Sequence, residues 1–96
     1  MVLATTVSGE TIELSEDTSL FGFPVNTVVR FTKSRYNGKF ARVRGVHGGA
    51  LWFSIFDAEN EAAGDDALAK PVQTVSCRAK AELIRQYGWA AGDTAP

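Results

Sequence analysis

The sequence predicts a mainly β fold: one small domain, an antiparallel set of about five strands followed by a short C-terminal helix. Three observations predict it. A chain of 96 residues has room for a single hydrophobic core. Its apolar runs are short and alternate with period two rather than 3.6. Glycine-containing turn signals separate the best of those runs. With 45% hydrophobic and 22% charged residues, the composition is that of a globular chain and not of a disordered one.

Residues 1–26 read as an N-terminal arm or hairpin and a connector. Val2 to Val7 and Thr11 to Leu14 flank a Ser8-Gly9 turn signal. In the connector Thr18 to Asn26, Phe21 and Phe23 flank Gly22 and are expected to fold back over one end of the core. Residues 27–88 carry the main core. The β-branched and aromatic run Thr27 to Thr32 is a strand. After the Tyr36-Asn37-Gly38 turn comes a strand from Lys39 to Val46, and after His47-Gly48-Gly49 another from Ala50 to Phe56. Asp57 to Lys70 reads as an acidic loop, longer than most hairpin loops. Pro71 to Cys77 is a last strand with proline at its mouth. A short helix from Ala79 to Tyr87 then ends at Gly88, and residues 89–96 form a flexible tail.

Register between the two central strands follows from separating charge from core. A three-residue turn at His47 to Gly49 sets Val43 against Phe53, Ala41 against Ile55 and Gly45 against Leu51 on one face. The other face then pairs Arg44 with Trp52, Arg42 with Ser54 and Phe40 with Phe56. A two-residue Gly48-Gly49 turn would set Arg42 against Ile55 and Arg44 against Phe53, because a one-residue slip turns every side chain over. The three-residue turn is the expected one.

From Val28 to Leu83 the chain resembles the small SH3-like β-barrels of the KOW and Tudor-like kind. The residues that carry the resemblance are Val28-Val29-Arg30-Phe31, Tyr36-Asn37-Gly38, Ala41-Arg42-Val43, Gly48-Gly49, Trp52 to Asp57, and Val75-Ser76-Cys77 leading to Leu83. Ala41 stands where such barrels usually have glycine after the Asn-Gly turn, and the loop from Asp57 to Lys70 is long for them. The resemblance implies an SH3-like barrel and a module that binds proteins, peptides or nucleic acids.

Charge is segregated. Thr18 to Phe56 holds six basic residues (Arg30, Lys33, Arg35, Lys39, Arg42 and Arg44) and no acidic one. Asp57 to Asp66 holds five acidic residues and no basic one. Two readings of the basic segment stand side by side. Its alternating arginines are the solvated side of a half-buried sheet, or they form with Phe40 and Trp52 a cationic, aromatic binding face on which Arg44 lies over Trp52. If Phe40, Trp52 and Phe56 share that face, the N-terminal arm or the C-terminal helix covers some of them, or they form a partner site.

Catalytic and metal chemistry find little footing. Cys77 is the single cysteine and His47 the single histidine, too few for a four-ligand zinc site or a disulfide. Asp57, Glu59 and Glu61 have the spacing of the first calcium ligands of an EF-hand. Gly64 comes too late for the EF-hand turn, and Leu68 replaces the bidentate glutamate. A solvated acidic loop drawn to the chain's own basic face is the better account. No nucleophile elbow, phosphate loop or dinucleotide fingerprint occurs. No signal peptide or membrane-length apolar run is visible, so an intracellular protein, cytoplasmic or nuclear, is expected.

The expectation is therefore a non-enzymatic interaction module without cofactor or metal, a monomer or a subunit of a larger assembly. It would hold a protein or peptide partner through Tyr36, Phe40, Arg42, Arg44 and Trp52, with Trp52 as anchor. The alternative is an RNA- or DNA-binding barrel that uses Arg30, Lys33, Arg35, Lys39, Arg42 and Arg44.

Overall fold

Alternating apolar residues dictate strands where the sequence places them, and the structure, a computed structural model, describes residues 2–75 and 80–88. The expected strand end at Ser76 and Cys77, the helix start at Ala79 and the tail 89–96 lie outside the described residues. Among those described, six strands form two antiparallel sheets. β1 (Val2–Thr5) and β2 (Thr11–Leu14) make a hairpin. β3 (Val28–Arg30), β4 (Phe40–His47), β5 (Ala50–Phe56) and β6 (Gln73–Val75) follow one another in a second sheet. The acidic segment, expected as a loop, is instead a short helix α1 (Glu59–Ala63) and a 3-10 helix from Asp65 to Ala69. Helix α2 (Lys80–Tyr87) ends at Gly88, whose N–H donates to the Ile84 carbonyl at 2.8 Å. No helix among the described residues is long and apolar enough to cross a membrane.

The hairpin and the larger sheet touch at two isolated bridges. Thr6 pairs with Val72 in parallel, and Ser15 with Val46 antiparallel. Val72 N–H donates to the Thr5 carbonyl at 2.8 Å, and Ser15 and Val46 exchange two bonds of 2.8 Å. These are single bridges rather than ladders, so the sheets do not merge into a closed barrel.

One face of the large sheet packs the main core. Val29, Ala41, Val43, Leu51 and Phe53 meet Phe21 and Phe31 from the chain before and after β3, and Leu83 from α2. The phenylalanines of the connector do fold back as expected, Phe21 fully buried and Phe23 against the core. Phe31 meets Phe53 edge-on at 5.2 Å, a favoured arrangement of ring quadrupoles.

The central register combines the two turns weighed from the sequence. Phe40, Ala41, Arg42 and Val43 face Phe56, Ile55, Ser54 and Phe53, as expected. Beyond them the ladder slips: Gly45 faces Trp52, Val46 faces Leu51 and His47 faces Ala50. Arg44 is left without a cross-strand partner, as the extra residue of a β-bulge. The turn therefore has two residues, Gly48 and Gly49, at φ of 63° and 77°, the backbone of a tight hairpin turn. Expecting Gly45 opposite Leu51 and Arg44 opposite Trp52 assumed an unbroken ladder, and the bulge overturns that assumption. It lets a two-residue turn, in place of the expected three-residue one, coexist with an inward Val43 and Phe53.

Candidate functional site

The face of the sheet opposite the main core, expected to be covered in part by the N-terminal arm or the C-terminal helix or to form a partner site, is roofed by two units. The β1–β2 hairpin packs Ala4, Ile12 and Leu14 with Val72 against the half-buried Trp52. The acidic segment packs Ala62 and Ala67 with Val28 and Phe56 against the half-buried Phe40. Small alanines let the helical segment approach closely enough to cover two phenylalanines. Helix α2, the other cover considered from the sequence, lies over the main core instead. Trp52 is held by its indole N–H, which donates to the His47 carbonyl at 3.0 Å, and it meets the His47 ring edge-on. His47 Nδ1 in turn donates to the Glu13 carbonyl at 3.0 Å, which ties the turn to β2.

Two arginines expected in solvent are engaged between these roofs. Arg42 is half-buried. Its Nε donates to Asn26 Oδ1 at 3.2 Å, and its Nη1 donates to the carbonyls of Ala62 and Gly64 at the end of α1. It thereby satisfies main-chain groups the helix leaves free. Arg44 is 4% exposed. Its Nη1 donates to Ser54 Oγ at 2.9 Å and to the Lys70 carbonyl at 3.2 Å. Burial, and then the positive charge of Arg42, push its pKa below the ordinary guanidinium value. The expected stacking of Arg44 on a solvated Trp52 is thus corrected: the bulge turns the guanidinium to Ser54 and the indole to the glycine turn. Sequence patterning showed the alternation and allowed a cover from the N-terminal arm, but gave no sign of the roof that the acidic segment makes. The available signals were Gly45 inside a strand, which marks a bulge or close approach, and the paired glycines after His47.

The remaining sequence candidates gather elsewhere. Ser34–Tyr36 forms a 3-10 turn after β3, and Lys33, Arg35 and Arg30 are exposed. Tyr36 is half-buried, stacked on Tyr87 of α2 at 6.1 Å and edge-on to Phe53 at 5.9 Å. Its hydroxyl donates to Gln73 Oε1 at 2.6 Å and accepts from Arg35 Nη2 at 3.0 Å. The Arg35 guanidinium carbon sits 5.0 Å from the Tyr36 ring centroid, within cation–π range. Lys33 Nζ donates to the Arg85 carbonyl at 3.5 Å. Lys39 pairs with Asp57, so the acidic segment does reach the basic one; that pairing holds the Asp57 carboxyl below its ordinary 3.8. The structure therefore brings Tyr36, Arg35 and Lys33 together. Phe40, Arg42, Arg44 and Trp52 lie on the other face, beneath or between the roofs.

The chain matches no family model, and comparison with curated proteins and with solved structures returns no match.

Proposed function

We propose that the chain is a non-enzymatic interaction module that holds a protein or peptide partner at the corner made by Lys33, Arg35 and Tyr36. The observation that carries this reading is the Arg35 guanidinium over the ring of Tyr36, itself stacked on Tyr87, at the end of one short exposed turn. Arginine and tyrosine are the residues on which interfaces concentrate their affinity, and here Tyr36 is held by packing and Arg35 by its bond to the Tyr36 hydroxyl. The hydrogen bond from Tyr36 to Gln73 adds to that rigidity. His47 is spent on the Glu13 carbonyl and the Trp52 edge, which accords with a structural histidine. An SH3-like barrel left open, its sheets joined by single bridges rather than ladders, is the architecture we favour. Its support is the pair of bridges, Thr6 to Val72 just before β6 and Ser15 to Val46 on β4, that hold the hairpin against the large sheet. The nucleic-acid alternative loses ground because Arg42 and Arg44 donate to main-chain and side-chain oxygens of the chain itself.

The test is retention of partners from a lysate of the source cells on the immobilised chain. Arg35→Glu and Lys33→Glu, both exposed, should abolish retention of a protein that survives about 200 mM salt. Retention of RNA instead, lost between about 50 and 200 mM salt, would favour the alternative. An unchanged protein partner on both variants would remove the proposed corner.

A further inference from the structure

The two roofs do not meet. Between β1 and the 3-10 helix Asp65–Ala69 runs a cleft of about 220 Å3, lined by Leu3, Thr5 and Thr11 on one side, Leu68 and Lys70 on the other, with Arg44 between them. A guanidinium carries five N–H donors. In Arg44, Nη1 donates to Ser54 and Lys70, while among the described residues Nε and Nη2 have no acceptor and no carboxylate pairs with the group. A cation 4% exposed and without a counter-ion among the described residues is an unfavourable element of a fold unless something else meets it. The free edge, Nε with Nη2, is the side-on fork that grips a carboxylate through two parallel bonds. The cleft lining has no acidic residue, and its second cation is Lys70.

The rim is apolar. Leu3 is 68% exposed and Leu68 51%, two of the most open large hydrophobic side chains described. The cleft holds roughly seven groups of water size, the bulk of a carboxylate on a short branched carbon body. Main-chain groups of Leu3 are also available, beyond those of Thr5 and Val7 that Val72 occupies. Thr5 O and Val7 N–H point to Val72 from the outer edge of β1, and alternation gives Leu3 the same outward orientation.

We propose that this cleft is a binding site for a carboxylate on a short apolar body, with Arg44 as its anion clamp and Leu3 and Leu68 as its apolar walls. The ligand chemistry has two sources, a free branched carboxylic acid or the C-terminal leucine-like end of a peptide. In the peptide case the outer edge of β1 at Leu3, beyond the Val72 bridge, pairs with a residue before the carboxylate. The site is independent of the Tyr36 corner. Tyr36 packs on Phe53 and Arg44 on Ser54, neighbours on β5 that point to opposite faces.

The experiment titrates the 15N-labelled full chain with 3-methylbutanoate, with acetyl-Gly-Gly-Leu, and with the amide of that peptide. The Arg44 side-chain Nε–H and the amides of Leu3, Thr5 and Leu68 are followed. The acids should give saturable shifts confined to those signals, and the amide none. Tighter binding of the peptide than of 3-methylbutanoate assigns the site to chain ends; equal binding assigns it to the free acid. Arg44→Met, which keeps the apolar stem, should weaken binding at least about tenfold. Leu68→Glu, at an exposed position, should do the same while leaving the fold intact. It answers the question even if Arg44→Met fails to fold. No saturation with either acid, amide binding equal to acid binding, or full affinity in Leu68→Glu would each overturn the site.

Discussion

Replacing Gly45 by alanine should cost far more than the removal of one hydrogen suggests. Gly45 lies immediately past the bulge, at a φ of 151°, where β2 crosses close to β4. A Cβ built there comes within 2.7 Å of the Ser15 carbonyl oxygen and 2.9 Å of Leu14 Cβ. Neither atom is the end of a flexible side chain, so neither can rotate away. β2 must retreat, which disturbs the fully buried Leu14 and stretches the two 2.8 Å bonds between Ser15 and Val46. Overpacking of this kind costs about 1–3 kcal/mol, and the backbone conformation adds about 1 kcal/mol or more for a residue with a side chain. Reduced freedom of the unfolded chain returns about 0.4–1 kcal/mol. The net loss should be about 2–3 kcal/mol, and in a domain of this size the melting temperature should fall by at least about 10 °C. Urea unfolding followed by far-ultraviolet circular dichroism measures it as a lower midpoint at unchanged slope. Gly49→Ala is the control: its φ is also positive but nothing lies within 4 Å, so about 1 kcal/mol is expected. A Gly45→Ala loss below about 0.5 kcal/mol, or one no larger than that of the control, would show that the close crossing is not what the fold depends on.

Other outcomes follow from the same contacts. The Asp57 carboxyl titrates below its ordinary 3.8 because Lys39 hydrogen-bonds and attracts its charged form. Its contribution to stability is therefore complete above about pH 4 and is lost as pH falls through the lower folded value. A carboxyl-carbon NMR titration should show that depressed midpoint and its return toward 3.8 in Lys39→Met; an identical midpoint in both proteins would refute the pairing. Tyr36→Phe should cost about 0.5–1.5 kcal/mol in urea unfolding, since it leaves Gln73 and Arg35 without the hydroxyl. Ser54→Ala should destabilise by about 1–3 kcal/mol, because a buried guanidinium loses one of its two acceptors. Deleting residues 1–15 should uncover Trp52 and Val72 and produce concentration-dependent association in analytical ultracentrifugation.

Much of the scaffold was legible in the sequence because its signals are local. The alternation Phe40 to Val43, the uninterrupted run Leu51 to Phe56, the Asn37-Gly38 and Gly48-Gly49 turns and the helix stop at Gly88 each act within a few residues. The candidate site was less legible because it depends on long-range geometry. One unpaired residue, Arg44, reversed the relation between two strands without leaving a periodic trace beyond the glycine beside it. The acidic run hid a packing role: Ala62 and Ala67, small residues in a polar stretch, are what cover Val28 and Phe56. Charge patterning alone marked that stretch as solvated. Arg42 and Arg44 likewise read as a cationic surface because a sequence shows charge but not the carbonyls of Ala62, Gly64 and Lys70 that receive it.

The bridge between Thr6 and Val72 bears on how the chain reaches this state. Its partners come from opposite ends of the sequence, so it forms only after the polypeptide between them has been synthesised and gathered. Folding should therefore be slow for so small a protein, limited by a late search for distant partners rather than by the early β4–β5 hairpin. A nascent chain that ends before Val72 would hold the central hairpin with its second face still unprotected, the stage at which it most needs a chaperone.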